Sequence, residues 1–346
     1  AVLMSFYLAK AGVFKINGQV QGILFILVIG AATDYSLLYV SRFREALRVS
    51  DSVWSATRTA WKGSVEAIIA SGGTVIAGLL CLLLSDLASN KALGPVAALG
   101  ILFAVLVALT FLPAMLLLAG RVAFWPRHLR GVVDRTAPRR TGVWERIAAA
   151  IHTRDRLMWV IVGVVLALGC VGLVGLNAGG VPASDLVIGE SQSRDGQNIL
   201  AAHFPGGSGQ PVQVIVPEGK LDAVAAAALE NAGVSSASVV SADSPSGSIP
   251  IPRPPEGPFA QATPTVAGGD VMLQLTLADK ADSLEAERTV TALRTTLRLL
   301  DPSTIIGGST ALDLDTNLTS TRDRNLIIPL VLVVITVILM LLLRSI

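Results

Sequence analysis

The residue that most constrains this chain is Asp34. It is the only charged side chain between Gly18 and Ser41, in the run GQVQGILFILVIGAATDYSLLYVS. From Gln21 to Tyr39 the run reads as one helix of about 20 residues, enough to cross a hydrocarbon core of roughly 30 Å. With the span centred near Gly30, a four-residue offset puts Asp34 only about 6 Å from the bilayer midplane. An ionised carboxylate there costs at least about 2.5–3.5 kcal/mol. A residue so costly is expected to face the interior of a helix bundle and to mark an ion or proton pathway. The alternative is a polar clamp between helices. Tyr35 lies about 100° further round the helix, so its hydroxyl is expected to reach an acid on a facing helix rather than Asp34 itself.

Composition agrees with a membrane setting. Of 346 residues, 52% are hydrophobic and only 15% charged, too apolar and charge-poor for a soluble protein of this size. The apolar residues come in blocks: Ala67–Ser85, Ala92–Gly120, Leu157–Ser184 and Asn325–Leu343, which with the Asp34 helix make five spans. Pro113 in TFLPAMLLLAG predicts a kink in the third, and Pro329 falls in the first turn of the last. The opening AVLMSFYLAK reads as the tail of a further helix, and the chain stops as its last block ends, which reads as a piece of a longer protein.

The net charge of +2 conceals an asymmetry that fixes the expected topology. Residues 121–156 carry nine Arg against three acids, a net of +6, whereas residues 177–325 carry nine Lys or Arg against seventeen acids, a net of −8. The excess of positive charge in inner loops then places the basic segment in the cytoplasm, where it can also hold anionic lipid heads, and the acidic segment outside. The loop after the Asp34 helix, with Arg42, Arg44, Arg48, Arg58 and Lys62, falls on the cytoplasmic side as well. The expected organisation is membrane helices over 1–120, a basic cytoplasmic linker over 121–156, a span at 157–178, an extracytoplasmic domain at 179–324 and a last span at 325–346.

The acidic segment is different material, polar and rich in Gly, Pro and Ser. Pro211–Pro217, Ser236–Ser241, Val271–Leu277 and Thr304–Ile306 read as strands, Leu221–Ala232 and Ser283–Leu300 as helices, the latter opened by a near capping box at Ser283. Residues 241–270 hold seven prolines and read as a long irregular loop. The order β-α-β-β-α-β predicts an α+β, ferredoxin-like domain. Asp313, Asp315 and Asp323 then fall in a solvated linker flanked by Arg322 and Arg324, or form a cation-attracting vestibule. In the second span Ser71, Thr74 and Gly78 make a small, partly polar face, expected to dock on the Asp34 helix along Gly30, Asp34 and Ser41.

Other chemistries are disfavoured. Cys81 and Cys170 sit singly in separate spans, and His128, His152 and His203 are scattered, so neither a metal site nor any cofactor is expected. No nucleophile–base constellation falls on one side of the membrane, and no Gly-rich loop sits between a strand and a helix, so neither an enzyme nor ATP binding is supported. The Arg residues lie beside spans without a base-stacking surface, which argues against nucleic acid.

GAATDYSLLYVSRFREAL, followed by a helix with Ser-Gly-Gly-Thr and then LTFLPAMLLLAG, resembles the MMPL (mycobacterial membrane protein large) group of the resistance-nodulation-division (RND) superfamily. Gly30, Asp34, Tyr35, Ser41, Arg42, Phe43, Arg44 and Glu45 match that group's pattern one by one. The resemblance implies an RND-type bundle running here from the end of span three to span eight, with a porter domain between spans seven and eight. It implies a proton-driven transporter in the cytoplasmic membrane that exports lipids or other hydrophobic molecules. Its partners would be membrane lipids, the hydrophobic substrate and protons, with a homo-oligomer compatible with the pattern. Asp34 and Tyr35 would be half of a proton relay, completed by a second Asp-Tyr pair in a tenth span outside this chain. Arg42, Arg44 and Glu45 would form ion pairs at the cytoplasmic mouth. Competing readings are a drug exporter or secretion-associated relative with the same relay, and a non-transporting, sterol-sensor-like receptor.

Overall fold

The uncharged blocks fold as helices because an apolar run of this length can satisfy its backbone groups only within itself. A computed structural model describes residues 2–12, 17–50, 52–125, 147, 151, 153–172, 189–252, 254, 257, 259 and 261–343. Its elements in chain order are α1 (Val2–Lys10), α2 (Gly18–Val49), α3 (Val53–Leu80), α4 (Ala88–Leu109), α5 (Phe111–Ala119), α6 (Asp155–Val171), α7 (Gln192–His203), β1 (Val212–Pro217), α8 (Leu221–Leu229), β2 (Val234–Val240), β3 (Ser248–Ile251), β4 (Val266–Ala267), β5 (Asp270–Leu277), α9 (Leu284–Leu300), β6 (Ile305–Gly307) and α10 (Ser309–Leu343). Among the described residues four helical segments are long and apolar enough to cross a membrane: Gly18–Val49, Val53–Leu84, Ala88–Phe124 and Ser309–Leu342; Arg156–Val171 is a shorter apolar helix. The chain divides into two compact units, Ala1–Cys170 with Thr319–Ile346, and Val171–Leu318.

In the first unit α2, α3 and α4 pack pairwise. Each presents a row of residues four apart: Tyr35, Tyr39, Phe43 and Leu47 on α2; Ala56, Ala60, Ser64, Ile68 and Gly72 on α3; Gly100, Ala104 and Ala108 on α4, all buried. Small residues let the backbones close. A Cβ at Gly100 would lie 2.5 Å from a Val28 methyl, and one at Gly72 would lie 2.5 Å from a Val105 methyl. In lipid, where neighbouring tails are as apolar as Leu, such close approach supplies much of the packing energy. The helix ends are closed too. The Asn17 side chain accepts the Val20 N–H at 2.8 Å to cap α2, and an Arg121 guanidinium N–H donates to the Ser50 carbonyl just past the other end of α2 at 3.0 Å.

The kink expected at Pro113 is a full break three residues earlier. Thr110 leaves helical geometry with φ −121° and ψ −63°, separating α4 from α5. Proline lacks the N–H that would bond the carbonyl four residues back and crowds it. That carbonyl belongs to Leu109, and the Trp61 indole N–H of α3 takes its place at 3.1 Å.

Two further expectations change, and a third falls outside the described residues. Arg42, Arg44 and Arg48 lie on α2 and Arg58 and Lys62 on α3, so the expected basic loop shrinks to a short joint around Ser50–Ser52. The last span is the continuation of α10, which begins at Ser309, so Asp313, Asp315 and Asp323 are helical and Pro329 is interior. Most of the expected 121–156 linker, and residues 173–188 after α6, lie outside the described residues.

In the second unit, strict alternation builds one antiparallel sheet of order β3-β2-β5-β1-β6, with β4 pairing β5 beside β2. Val212, Val214 and Val216 of β1 and Val271, Leu273, Leu275 and Leu277 of β5 point to one face. There they meet α8 (Val224, Ala225, Ala228) and α9 (Ala286, Val290, Leu293, Leu297). The Ser283 hydroxyl accepts the Ala286 N–H at 3.2 Å, capping α9 at the expected residue. The acidic half of the capping box is absent, because Ala286 occupies the position that box requires of Glu or Gln. The expected long loop at 241–270 contains β3 and β4. Pro250 sits in β3, an edge strand, where its missing N–H costs no ladder bond. Gly268 and Gly269, at φ +63° and +94°, make the two-residue turn between β4 and β5.

The start of α10 belongs to this core. Ala311 and Leu314 are buried in it, Arg294 of α9 grips both Asp315 oxygens at 2.5 and 2.9 Å, and Asn317 donates to Glu287 at 2.6 Å. The Arg294 hydrogen bonds hold the Asp315 carboxyl below its ordinary value of 3.8. A depressed folded pKa stabilises above the unfolded value and is lost as pH falls through the folded one. Asp315 is half exposed, so its pair with Arg294 is expected to contribute about 1 kcal/mol or less. Arg294→Met should therefore raise hydrogen-exchange rates in α9 and β1 modestly at pH 7. The difference from wild type should fade below about pH 4 as Asp315 protonates in both.

Candidate functional site

Asp34 and Tyr35 divide between two faces of α2. Tyr35 belongs to the row that packs on α3 and α4 and is only 5% exposed. Asp34, turned about 100° from it, is exposed at the rim of a cavity of about 370 Å³ between α2 and α3, with Ile101 of α4 at its floor. Gly30 and Asp34 of α2 and Ser71 of α3 line this cavity together with Tyr35. The Tyr35 hydroxyl points to α3, lying 3.5 Å from where a Cβ on Gly72 would be, and shares the cavity wall with Ser71. Within the described chain Tyr35 thus meets α3.

Of the other expected packing residues, Thr74 spends its hydroxyl on its own helix, bonding the Ala70 carbonyl at 2.8 Å, and Gly78 faces Val331 of α10 rather than α2. The face of α3 that meets α2 and α4 is the Ala60–Ser64–Ile68–Gly72 row, one residue round from the row singled out by polarity. Its signal in sequence is the four-residue spacing of small residues from Ala56 to Gly72, broken only by Ile68. Tyr39, one turn below Tyr35, donates its hydroxyl to the Thr57 carbonyl at 3.3 Å and stacks on Phe43 with ring centres 6.5 Å apart. At the far end of α2, Arg42 pairs with Glu45 at 3.5 Å on an exposed surface, a contact expected to contribute below about 1 kcal/mol. Arg44 makes none of the ion pairs among the described residues.

A second polar cluster was not legible as one. Asp323 is 4% exposed, and its carboxylate accepts the Ser85 hydroxyl and, at 3.3 Å, the Asp86 N–H. Arg322 pairs with the Asp86 side chain beside it. These contacts fasten α10 to the turn between α3 and α4. The expected solvated linker fails for Asp323, which is buried, while Asp315 stays half exposed but is helical and held by Arg294. Asp313 lines a separate polar cavity of about 420 Å³ in the sheet unit, with Arg194, Lys280 and Asp282. Among the described residues no group of His, Cys, Asp and Glu is placed to hold a metal ion.

A helix long and apolar enough to span, with an acid at a cavity rim beside a tyrosine on the packed seam, agrees with the sequence pattern, and the MMPL family model matches residues 1–179 and 185–346. The chain belongs to the MMPL family. A membrane protein of Streptomyces coelicolor, SCO0839, is 44% identical over 329 residues, covering 94% of this chain and 44% of that protein. ActII-3 of the same organism, also named as a membrane protein, is 39% identical over 341 residues, 98% of this chain and 44% of that one. The apo-petrobactin exporter of Bacillus anthracis is 28% identical over 367 residues, 98% and 46% respectively. This MMPL chain thus spans somewhat under half the length of these relatives.

Three substitutions probe this MMPL geometry. Gly72→Val should force Val105 and the Tyr35 ring apart and cost about 1–3 kcal/mol, read as a lower melting temperature in detergent. Asp323→Ala should cost a similar amount, about 1–3 kcal/mol, by leaving the Ser85 hydroxyl and the Asp86 N–H without their partner. Ser85→Ala should then cost less in the Asp323→Ala background than in wild type, a non-additivity that marks direct contact, the remainder being the Leu87 N–H that the Ser85 hydroxyl also accepts.

Proposed function

We propose that this chain supplies one half of a proton-driven MMPL exporter that moves lipids or other hydrophobic molecules across the cytoplasmic membrane. Asp34 is the proton carrier and Tyr35 a cross-helix hydrogen-bond partner for an acid on a facing helix. The observation that carries the reading is a carboxylate on the rim of a cavity, within a helix apolar enough to span, next to a buried phenol and Ser71. An acid in that setting changes charge as it binds and releases a proton, and the charge change biases two packings of the surrounding helices. A facing Asp-Tyr pair from the other half of the transporter would cover Asp34.

Arg42, Arg44 and Glu45 anchor the cytoplasmic end of α2, as the excess of Arg in 121–156 implies for that side. The sheet unit is read as an extracytoplasmic porter domain of ferredoxin-like type. Its support is the β6-β1-β5-β2 order with α8 and α9 as the two crossover helices. The export direction draws support from the relative named an apo-petrobactin exporter.

The test is Asp34→Asn in the full-length transporter, assayed for export under an imposed proton gradient. The amide keeps the shape and removes the titration, so export should stop while membrane insertion and melting temperature stay near wild type. Export that persists in Asp34→Asn would remove the basis of the proposal.

A further inference from the structure

The break between α4 and α5 opens a notch on the surface of the helical unit whose walls carry no role in proton movement. It has a volume of about 380 Å³ and is lined mainly by Trp54, Arg58 and Trp61 of α3 and by Leu109, Pro113 and Leu117. That volume lies within the roughly 300–1,000 Å³ range of small-ligand sites. Trp54, Arg58 and Trp61 recur at helical spacing on one face of α3, so the cation sits between two indoles. Trp54 and Trp61 are 65% and 41% exposed, and the Trp61 ring is held in place by its bond to the Leu109 carbonyl. Arg58 is exposed and takes part in none of the ion pairs among the described residues. Lys62 adds positive charge one turn further along α3.

We propose that this notch is a binding site for an anionic phospholipid, with Arg58 taking the headgroup phosphate and one acyl chain lying on Leu109, Pro113 and Leu117. Tryptophan rings prefer the headgroup level, and a guanidinium matches phosphate with paired donors, so the two residue types set the depth and the charge of the ligand. The walls behind them are apolar, as an acyl chain requires, and the broken helix provides the recess that a continuous α4–α5 would fill. The proposal rests on the reading that this end of α3 faces the cytoplasmic leaflet, where the chain's other juxtamembrane Arg residues are placed.

The experiment is native mass spectrometry of the full-length protein, extracted in detergent and titrated with phosphatidylglycerol or phosphatidylcholine of matched chains. Wild type should retain phosphatidylglycerol with a preference of about fivefold, the effect of one well-placed cation at an anionic surface. Arg58→Gln should abolish the preference, Arg58→Lys should keep part of it, and Leu117→Trp should lower retention of both lipids. Equal retention of the two lipids by wild type, an unchanged preference in Arg58→Gln, or no retained lipid because another segment covers the notch would each overturn the proposal. Leaflet placement is read separately by labelling Ser55→Cys from either side of sealed vesicles. Labelling from the inner side supports it, and labelling only from the outer side overturns the topology on which the proposal rests. Asp34→Asn should bind phosphatidylglycerol as wild type does, so failure of the proton reading and failure of this one give different results.

Discussion

The arrangement of this protein depends on how closely α2, α3 and α4 approach one another. Helices in lipid gain little from hiding apolar surface, because the lipid is as apolar as the partner helix. What remains is contact, and contact is greatest where side chains are smallest. Gly72 against Val105 and Gly100 against Val28 and Leu24 are the points where this chain achieves it. That approach buries Tyr35 against α3, points its hydroxyl to that helix and turns Asp34 outward to the cavity rim. The proposed chemistry of the site is therefore a consequence of a steric seam that contains no charge.

The same apolar setting demands that every departure from regular helix find a partner. Pro113 frees the Leu109 carbonyl, and Trp61 reaches across from α3 to take it. The α3–α4 turn exposes the Asp86 N–H, and Asp323 accepts it together with the Ser85 hydroxyl. The Ser50 carbonyl past the end of α2 is taken by Arg121. Each repair joins segments distant in sequence, and the first of them also forms the wall of the notch proposed to hold a lipid.

Much of this was legible from residues alone. The Asp34 helix, the strands at β1 and β5 and the cap at Ser283 follow from apolar length, alternation and local hydrogen bonding, which depend only on nearby residues. The misses share a cause. The start of α10 read as a linker because Asp313, Asp315 and Asp323 are polar, yet Arg294 supplies a partner for Asp315 and the α3–α4 turn one for Asp323. β3 read as loop because prolines are loop signals, and only its position at the sheet edge makes them harmless. On α3, polarity drew attention to Ser71, Thr74 and Gly78, while the seam runs through Ala60, Ser64, Ile68 and Gly72.

By itself the sequence determined that the chain is a membrane protein with a separate α+β unit, and where along a spanning helix its one costly acid lies. Those properties are set by local period, run length and the price of charge in hydrocarbon. Which face of each helix meets which neighbour was decided only by the tertiary structure. In a helix apolar all round, hydrophobicity does not distinguish a lipid-facing stripe from a protein-facing one. Shape decides, and shape complementarity exists only once the second helix is in place.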